Sequence, residues 1–199
     1  MKFIWTTISA TLLLTASACS TPSSTGAPKL AAAKSVITQN ADLNPSLSEK
    51  DYTFNAPAGF QGPIAISKEK YSKLSAFKST EEKGTVITVH SGYSKTPLWD
   101  PSANMQKSVV HKHMLKMIGG IKNLRTNYNQ SKIEFLEING IQMGKISWTG
   151  NSEHGPMKGT MYSFLKSGNN HTFSVQGFAN STSAINKAFE AVENISIGN

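Results

Sequence analysis

The chain has 199 residues, which is enough for one domain of roughly 150 residues behind an N-terminal targeting segment. It carries a formal net charge of +8, and its single cysteine excludes an internal disulfide. There are only 12 acidic residues, and no phosphate loop, dinucleotide fingerprint or nucleophile elbow occurs. We therefore expect no enzymatic activity, no catalytic residue and no cofactor.

Residues 1–18 have the layout of a secretory signal peptide. Lys2 gives a positive start, and residues 3–14 are largely apolar but too few to span a membrane, which takes about 20 residues. Small residues at 16–18 then precede Cys19. This arrangement resembles the cleavage site of bacterial lipoproteins, although Ala16 stands where those proteins prefer Leu.

The lipoprotein resemblance implies cleavage before Cys19 and attachment of that cysteine to diacylglycerol. The chain would then be anchored in the cell envelope. Because Ser20 and not Asp follows the cysteine, the resemblance implies the periplasmic face of the outer membrane if the host is Gram-negative. The alternative is an ordinary secretory signal cut after Ala18, with Cys19 incidental.

Residues 19–48 are predicted to form a flexible tether. Ser, Thr, Ala, Pro and Asn dominate this segment, and it has too few large apolar side chains to offset the entropy of ordering. A helix around residues 30–37 is the alternative. Residues 49–199 are predicted to be one α+β domain.

The first half of that domain reads as short strands followed by a long helix. Strands are predicted at residues 52–55, 62–67, 73–79 and 85–91, the last being rich in β-branched residues. Asp100 and Pro101 fit the cap and first position of a helix. Apolar residues then recur at helical spacing, and Gly119-Gly120 is expected to loosen or end the helix. The predicted core stripe is Val110, Met114, Met117, Ile118 and Ile121.

Residues 132–178 are predicted to form four consecutive antiparallel strands. Asn139-Gly140 is typical of a two-residue hairpin turn, residues 167–170 form a second turn, and residues 150–157 form a longer loop. Apolar residues of both parities in 160–166 predict a strand covered on both faces, and 171–178 reads as a half-exposed strand. A change of apolar phase at Gly144 predicts a β-bulge.

A terminal helix beginning near residues 181–183 completes the pattern. Its single apolar stripe is Ile185, Ala188, Phe189, Val192 and Ile195. The chain thus contains a Tyr-x-Phe strand leading into Pro57-x-Gly59-Phe60, short strands, a long helix, the Asn139-Gly140 hairpin, the aromatic strand at 161–165 and a last amphipathic helix.

This order of elements resembles the PsbP-like superfamily, in its branch of small bacterial lipoproteins similar to DcrB and LpqN. The resemblance covers about residues 51–197. It implies an antiparallel sheet with helices packed on its faces, and it implies no single activity, because members of the superfamily serve unrelated roles.

The basic charge provides the candidate binding residues. Loss of Lys2 with the signal leaves +7, and Lys112 and Lys116 lie on the predicted outer side of the long helix. We expect them to contact a partner protein or an anionic envelope component such as lipid headgroups or acidic polymers. A solvated basic surface without a partner is the alternative. Export disfavours nucleic acid as a partner.

The sequence predicts no metal site. On a helix, His111 and His113 point about 160° apart and cannot share an ion. His154 lies in a polar loop beside Glu153, and the spacing of the methionines gives no set of ligands. The predicted function is therefore a lipid-anchored, non-enzymatic envelope protein. The alternatives are a surface-displayed adhesin, or a carrier of a small molecule or metal in a pocket between sheet and helix.

Overall fold

The computed structural model describes residues 44–95 and 101–198. The predicted signal peptide, Cys19 and Asp100 lie outside these residues. The described part contains two helices, α1 and α2, and eleven strands. In chain order they are β1 (Ser46–Ser48), β2 (Tyr52–Asn55), β3 (Phe60–Glu69), β4 (Ser72–Ser79), β5 (Val86–Gly92), α1 (Ala103–Asn123), β6 (Thr126–Gln130), β7 (Glu134–Ile138), β8 (Ile141–Ser152), β9 (Gly155–Lys166), β10 (Asn169–Phe178), α2 (Ser183–Glu193) and β11 (Ser196–Ile197).

The strands form two antiparallel sheets. The main sheet has eight strands in the order β3-β4-β5-β10-β9-β8-β6, with β7 also paired to β8. A small sheet has the order β1-β2-β11. The contiguous hairpins β7-β8, β8-β9 and β9-β10 are the four-strand meander expected from the sequence. The predicted α+β class with an antiparallel sheet is confirmed.

Tight turns join the strands of the meander. Asn139 and Gly140 have φ values of 49° and 77°, so the predicted turn with two left-handed residues is confirmed. Ser167 and Gly168, at φ 50° and 76°, form a similar turn. The predicted longer loop at 150–157 is wrong. Instead β8 continues to Ser152 and β9 begins at Gly155, because the polar residues there pair along the ladder.

Each face of the main sheet packs against one helix. Strand β9 shows the division, since Tyr162 and Phe164 lie on one face while Met161 and Leu165 lie on the other, as predicted. We call the first the α2 face, because Ile185, Ala188 and Val192 of α2 pack there together with the small sheet. We call the second the α1 face, because Val110, Met114 and Ile118 of α1 pack there.

The β-bulge predicted near Gly144 is wrong. Strand β8 keeps an unbroken register with both β7 and β9 across this residue. Its apolar phase changes because Ile141 and Met143 pack on the α2 face and Ile146 and Trp148 on the α1 face. Glycine fits closely at position 144, since a Cβ there would lie 2.6 Å from the sulfur of Met114, whose side chain would have to shift.

Helix α1 differs from its prediction at both ends. The helix begins at Ala103 with Ser102 as N-cap, whereas Pro101 was expected to be its first residue. It also continues through Gly119-Gly120 to Asn123, because the tertiary packing of Met114 and Ile118 holds it on the sheet. The predicted stripe is correct, with Met117 and Ile121 partly buried at its margin. In the described ranges no helix has the length and apolar character of a membrane span.

Three short strands were not predicted. Strand β1 lies inside the segment assigned to the tether, so the ordered domain begins before residue 49. Leu47 explains this difference, since it packs against the buried residues of the α2 face. Strand β6 is polar and β11 is very short, and neither shows the apolar alternation that predicts a strand.

Candidate functional site

The two predicted partner-binding lysines lie on the outer side of α1. Lys112 and Lys116 are both exposed, while Met114 between them is fully buried against the sheet. The 21 residues of α1 include four lysines and no acidic residue. The outer side of this helix therefore presents positive charge without neutralising carboxylates from the helix itself.

Exposed apolar side chains accompany these lysines. Met105 and Leu115 are 52 % and 47 % exposed, and Val109 is also exposed. Residues 105, 109, 112 and 116 follow the i, i+4, i+7, i+11 spacing that places side chains on one side of a helix. The outer side of α1 thus combines two ammonium groups with solvent-exposed apolar surface.

Other basic residues have structural roles, so the basic surface is narrower than the sequence suggested. The ammonium of Lys107 lies 5.8 Å from the ring centroid of Phe135, and the guanidinium of Arg125 lies 5.7 Å from that of Trp148. Lys73 forms an ion pair of 2.9 Å with Glu49. These cations are engaged with neighbouring side chains of the domain.

A buried polar network that was not predicted from the sequence links the two sheets. Asp51 precedes β2, and its Oδ2 lies 3.0 Å from Nε2 of His171 on β10. The other ring nitrogen, Nδ1, lies 3.0 Å from Oγ of Ser91 on β5. That oxygen lies 3.0 Å from the hydroxyl of Tyr52 on β2.

The protonation states in this network give every hydrogen bond a direction. Burial raises the pKa of Asp51, but hydrogen bonds from Asn169 and His171 outweigh it and hold the pKa below 3.8. Burial lowers the pKa of His171 below 6.5, although Asp51 opposes this. A neutral His171 therefore donates from Nε2 to the carboxylate and accepts at Nδ1 from Ser91, which accepts from Tyr52, whose pKa burial raises.

The order aspartate–histidine–serine resembles a nucleophilic triad, but the two ring nitrogens are exchanged and the environment is that of a core. Ser91 and His171 are 2 % and 0 % exposed. The network therefore crosslinks the small sheet to the main sheet from inside. One signal could have revealed it: strand alternation puts His171 on the same side as Phe173, and a histidine facing a core requires buried partners. Its partners Ser91 and Asp51 lie 80 and 120 residues away in the chain, so no local sequence pattern could identify them.

The remaining histidines lie apart from this network. His111 is exposed. The ring of His154 lies 3.3 Å from the neighbouring carboxylate of Glu153. His113 turns toward the sheet, where its ring lies 6.1 Å from that of His90 with 18° between the planes. Within residues 44–95 and 101–198, no group of three or more His, Cys, Asp or Glu side chains is placed to hold a metal ion.

Two shallow cavities border α1. One of 310 Å³ lies beside the turn at Asn139-Gly140 and has Gln106, Leu165, Lys166 and Ile197 in its walls. The other, of 490 Å³, lies along the exposed side of the helix and is lined by His111, Leu115, Gln130, Ser131, Lys132 and Ile133. The second cavity extends the exposed apolar surface of α1 toward the start of β7.

No model of a known protein family and no curated protein sequence matches the chain. Among solved structures it is similar to the cyanobacterial PsbP protein CyanoP of Synechocystis sp. PCC 6803, at 12 % identity and a TM-score of 0.55, covering 77 % of this chain and 91 % of that one. A protein of Bacteroides thetaiotaomicron gives 9 % identity, coverage of 74 % and 45 %, and a TM-score of 0.45. A protein of unknown function from Pseudomonas aeruginosa is 8 % identical, with 76 % of this chain and 94 % of that one covered and a TM-score of 0.38. The chain has a PsbP-like fold.

Proposed function

We propose that the chain is a lipid-anchored, non-enzymatic protein of the bacterial cell envelope that binds an anionic partner through the outer side of α1. The partner is an anionic envelope component or an acidic surface of another protein. Within the PsbP-like fold, we assign the chain to the branch of small lipoproteins similar to DcrB and LpqN. The signal-like residues 1–18 and Cys19 support the anchor.

One observation carries the binding part of the proposal. Lys112 and Lys116 are exposed on a helix that contains no acidic residue. From residue 101 to residue 133 the chain likewise has no Asp or Glu, so the formal charges of this segment are all positive. A surface with charges of one sign attracts ligands of the opposite charge, and this attraction weakens as the salt concentration rises.

The anchor can be tested through Cys19. In its host, Cys19→Ala should give an uncleaved or soluble product that no longer partitions into the detergent phase. Ser20→Ala is the matched control and should partition as the parent chain does. A correctly cleaved Cys19→Ala product with unchanged partitioning would contradict the lipid anchor and leave the binding proposal standing.

The binding surface can be tested with charge-matched variants. A lysine close to an anionic membrane surface contributes about 1 kcal/mol to binding. Lys112→Ala with Lys116→Ala should therefore weaken binding to anionic vesicles or lipopolysaccharide about thirtyfold. The salt dependence should flatten as well. Lys68→Ala with Lys70→Ala removes the same charge from the exposed end of the β3-β4 hairpin and should leave binding nearly unchanged. Equal losses in the two pairs would show that binding follows net charge and not this helix.

A further inference from the structure

Helix α1 carries exposed apolar side chains on the same arc as its lysines. At about 100° per residue, positions 105, 109, 112 and 116 lie within about 60° of one another, and Leu115 lies about 60° beyond Lys112. Met105 and Leu115 are each about half exposed, and Val109 is exposed as well. Folding has therefore left a large part of these side chains in water, and covering them would release further free energy.

The composition of this arc fits a lipid surface better than a protein surface. The centres of protein interfaces are enriched in Tyr, Trp and Arg and depleted in Lys. Helix α1 contains no Phe, Tyr, Trp or Arg, and its outer arc carries Met, Val, Leu and Lys with the small residues Ser108 and Gly119 among them. Flexible aliphatic side chains adapt to the fluid boundary of a bilayer, and a lysine has an apolar stem whose ammonium reaches the headgroups.

The charge of the arc selects the kind of lipid. Lys112 and Lys116 are exposed at the centre of the arc, with Leu115 to one side and Val109 to the other. Residues 101–133 contain no Asp or Glu. A zwitterionic surface gives these ammonium groups no net attraction, whereas anionic headgroups attract each of them within a Debye length. The complementary surface is therefore a leaflet rich in anionic lipid.

The cavity of 490 Å³ beside α1 continues this surface. Leu115 and His111 line it from the helix, and Lys132 and Ile133 line it from the segment before β7. An apolar side chain and a cation thus stand beside the helix as they do on it. The groove therefore widens the surface without changing its chemistry.

We infer that the outer side of α1 lies on a lipid leaflet rich in anionic headgroups, with Met105, Val109 and Leu115 entering the boundary between headgroups and acyl chains. Lys112 and Lys116 pair there with lipid phosphates. This inference rests on the proposed function, because it names the anionic partner of the same two lysines. Binding of this kind gains from the apolar area that is covered and from attraction to anionic lipid together.

The proposed anchor leaves α1 within reach of the leaflet that holds it. Residues 20–43 lie between Cys19 and the described domain, and fully extended they span at most about 85 Å. A domain of about 150 residues has a diameter of about 40 Å. The tether is therefore long enough for any side of the domain to face the bilayer, and the chemistry of the surface decides which side does.

The β3-β4 hairpin provides a matched surface of different chemistry. Ile64 and Ile66 on β3 are 42 % and 50 % exposed, much as the apolar residues of α1 are. A carboxylate, Glu69, lies in the same strand. The ammonium of Lys70 lies 5.3 Å from the ring centroid of Tyr71. Because positive charge is partly offset there, we expect this surface to stay in water.

The test compares lipid vesicles with a soluble polyanion. It uses the chain from residue 19 with Cys19→Ala, so that no attached acyl chain contributes to binding. Met105→Gln with Leu115→Gln keeps every charge and should weaken binding to vesicles of equimolar phosphatidylglycerol and phosphatidylcholine roughly tenfold or more, because two half-exposed side chains no longer enter the apolar phase. The same pair should bind polyphosphate within about twofold of the parent chain, since polyphosphate has no apolar phase. Ile64→Gln with Ile66→Gln is the matched control and should change neither affinity.

A second measurement needs no variant. In lipid nanodiscs of the same composition, a nitroxide-labelled lipid should broaden the methyl NMR signals of Met105 and Leu115. The methyl signal of Met143, which is buried on the α2 face, should broaden much less.

Three results would overturn the inference. Undiminished vesicle binding by Met105→Gln with Leu115→Gln, or equal broadening of Met105 and Met143, would exclude contact of this arc with the apolar phase and leave binding of an anionic partner standing. Absence of vesicle binding by the parent chain would exclude the leaflet, with an acidic protein surface as the remaining partner. The proposed function itself fails on a different result, which is parental affinity for both vesicles and polyphosphate in Lys112→Ala with Lys116→Ala.

Discussion

The two faces of the main sheet are built differently. On the α2 face, 18 buried residues form one cluster in which Tyr52, Phe54, Phe77, Phe164 and Phe173 contact one another as aromatic pairs. On the α1 face the buried cluster has 8 residues and a single large aromatic, Trp148. The larger cluster also includes the small sheet, so it holds together elements that are distant in sequence.

This difference separates stability from surface chemistry. On the α2 face, His171 and Ser91 are hydrogen-bonded to each other and closed off from solvent. On the α1 face, α1 presents exposed lysines and exposed apolar side chains, and the buried atoms without a hydrogen-bond partner on this face include Nδ1 of His90 and Nε1 of Trp148. Sites that bind something outside the domain are therefore best sought on the α1 face, while the α2 face keeps the domain folded.

Truncation of one buried side chain on each face should show the largest difference. Phe173→Ala on the α2 face should cost about 3–5 kcal/mol in the free energy of unfolding, because it removes a ring that contacts Tyr52, Phe54 and Phe164. Met114→Ala on the α1 face should cost less, about 2–3 kcal/mol, because its surroundings can collapse around flexible side chains. Denaturant unfolding measures both values. A larger loss in Met114→Ala would reverse the assignment of stability to the two faces.

The features that could be read from the sequence are local ones. The turn at Asn139-Gly140 and the apolar stripe of α2 depend on neighbouring residues, and both were predicted correctly. The pairing of β5 with β10 could not be predicted, because it joins segments about 80 residues apart. That pairing places His171 opposite Ser91 and His90 opposite Thr172. The exposed positions of Lys112 and Lys116 followed from helical periodicity alone, whereas His90 and Asn170 carried no such signal.

The distance between α1 and the main sheet should depend on Gly144. A Cβ at this position would lie 2.6 Å from the Met114 sulfur and 3.0 Å from a Val110 methyl, so Gly144→Ala should cost about 1–3 kcal/mol by overpacking. Gly119→Ala is the matched control, since nothing lies within 4 Å of its added Cβ and alanine favours the helix by about 0.5–1 kcal/mol. Thermal unfolding should therefore shift downward in one variant and upward in the other. Shifts of the same sign would mean that the sheet does not determine how close α1 lies.

The smallest expected effect is the pH dependence of stability, and it differs between the faces. The pKa of His171 is below 6.5 in the folded state, mainly because of burial, so below about pH 6.5 the unfolded chain binds more protons. The free energy of unfolding should therefore fall as the pH drops from 7.5 to 5.5, by no more than about 1.4 kcal/mol per pH unit from this residue. Asp51, whose folded pKa is below 3.8, should add a further loss only below that pH.

His171→Gln should reduce this slope without abolishing it, because His90 and His113 on the α1 face also have lowered pKa values and lose stability in the same direction. His154→Gln is the control for the substitution itself, since its side chain is 73 % exposed and lies outside the network around His171. Urea unfolding at several pH values measures each slope. If His171→Gln kept the full slope, the protons taken up on unfolding would belong to the α1 face alone, and the network under the small sheet would contribute to stability through its hydrogen bonds and not through its charge.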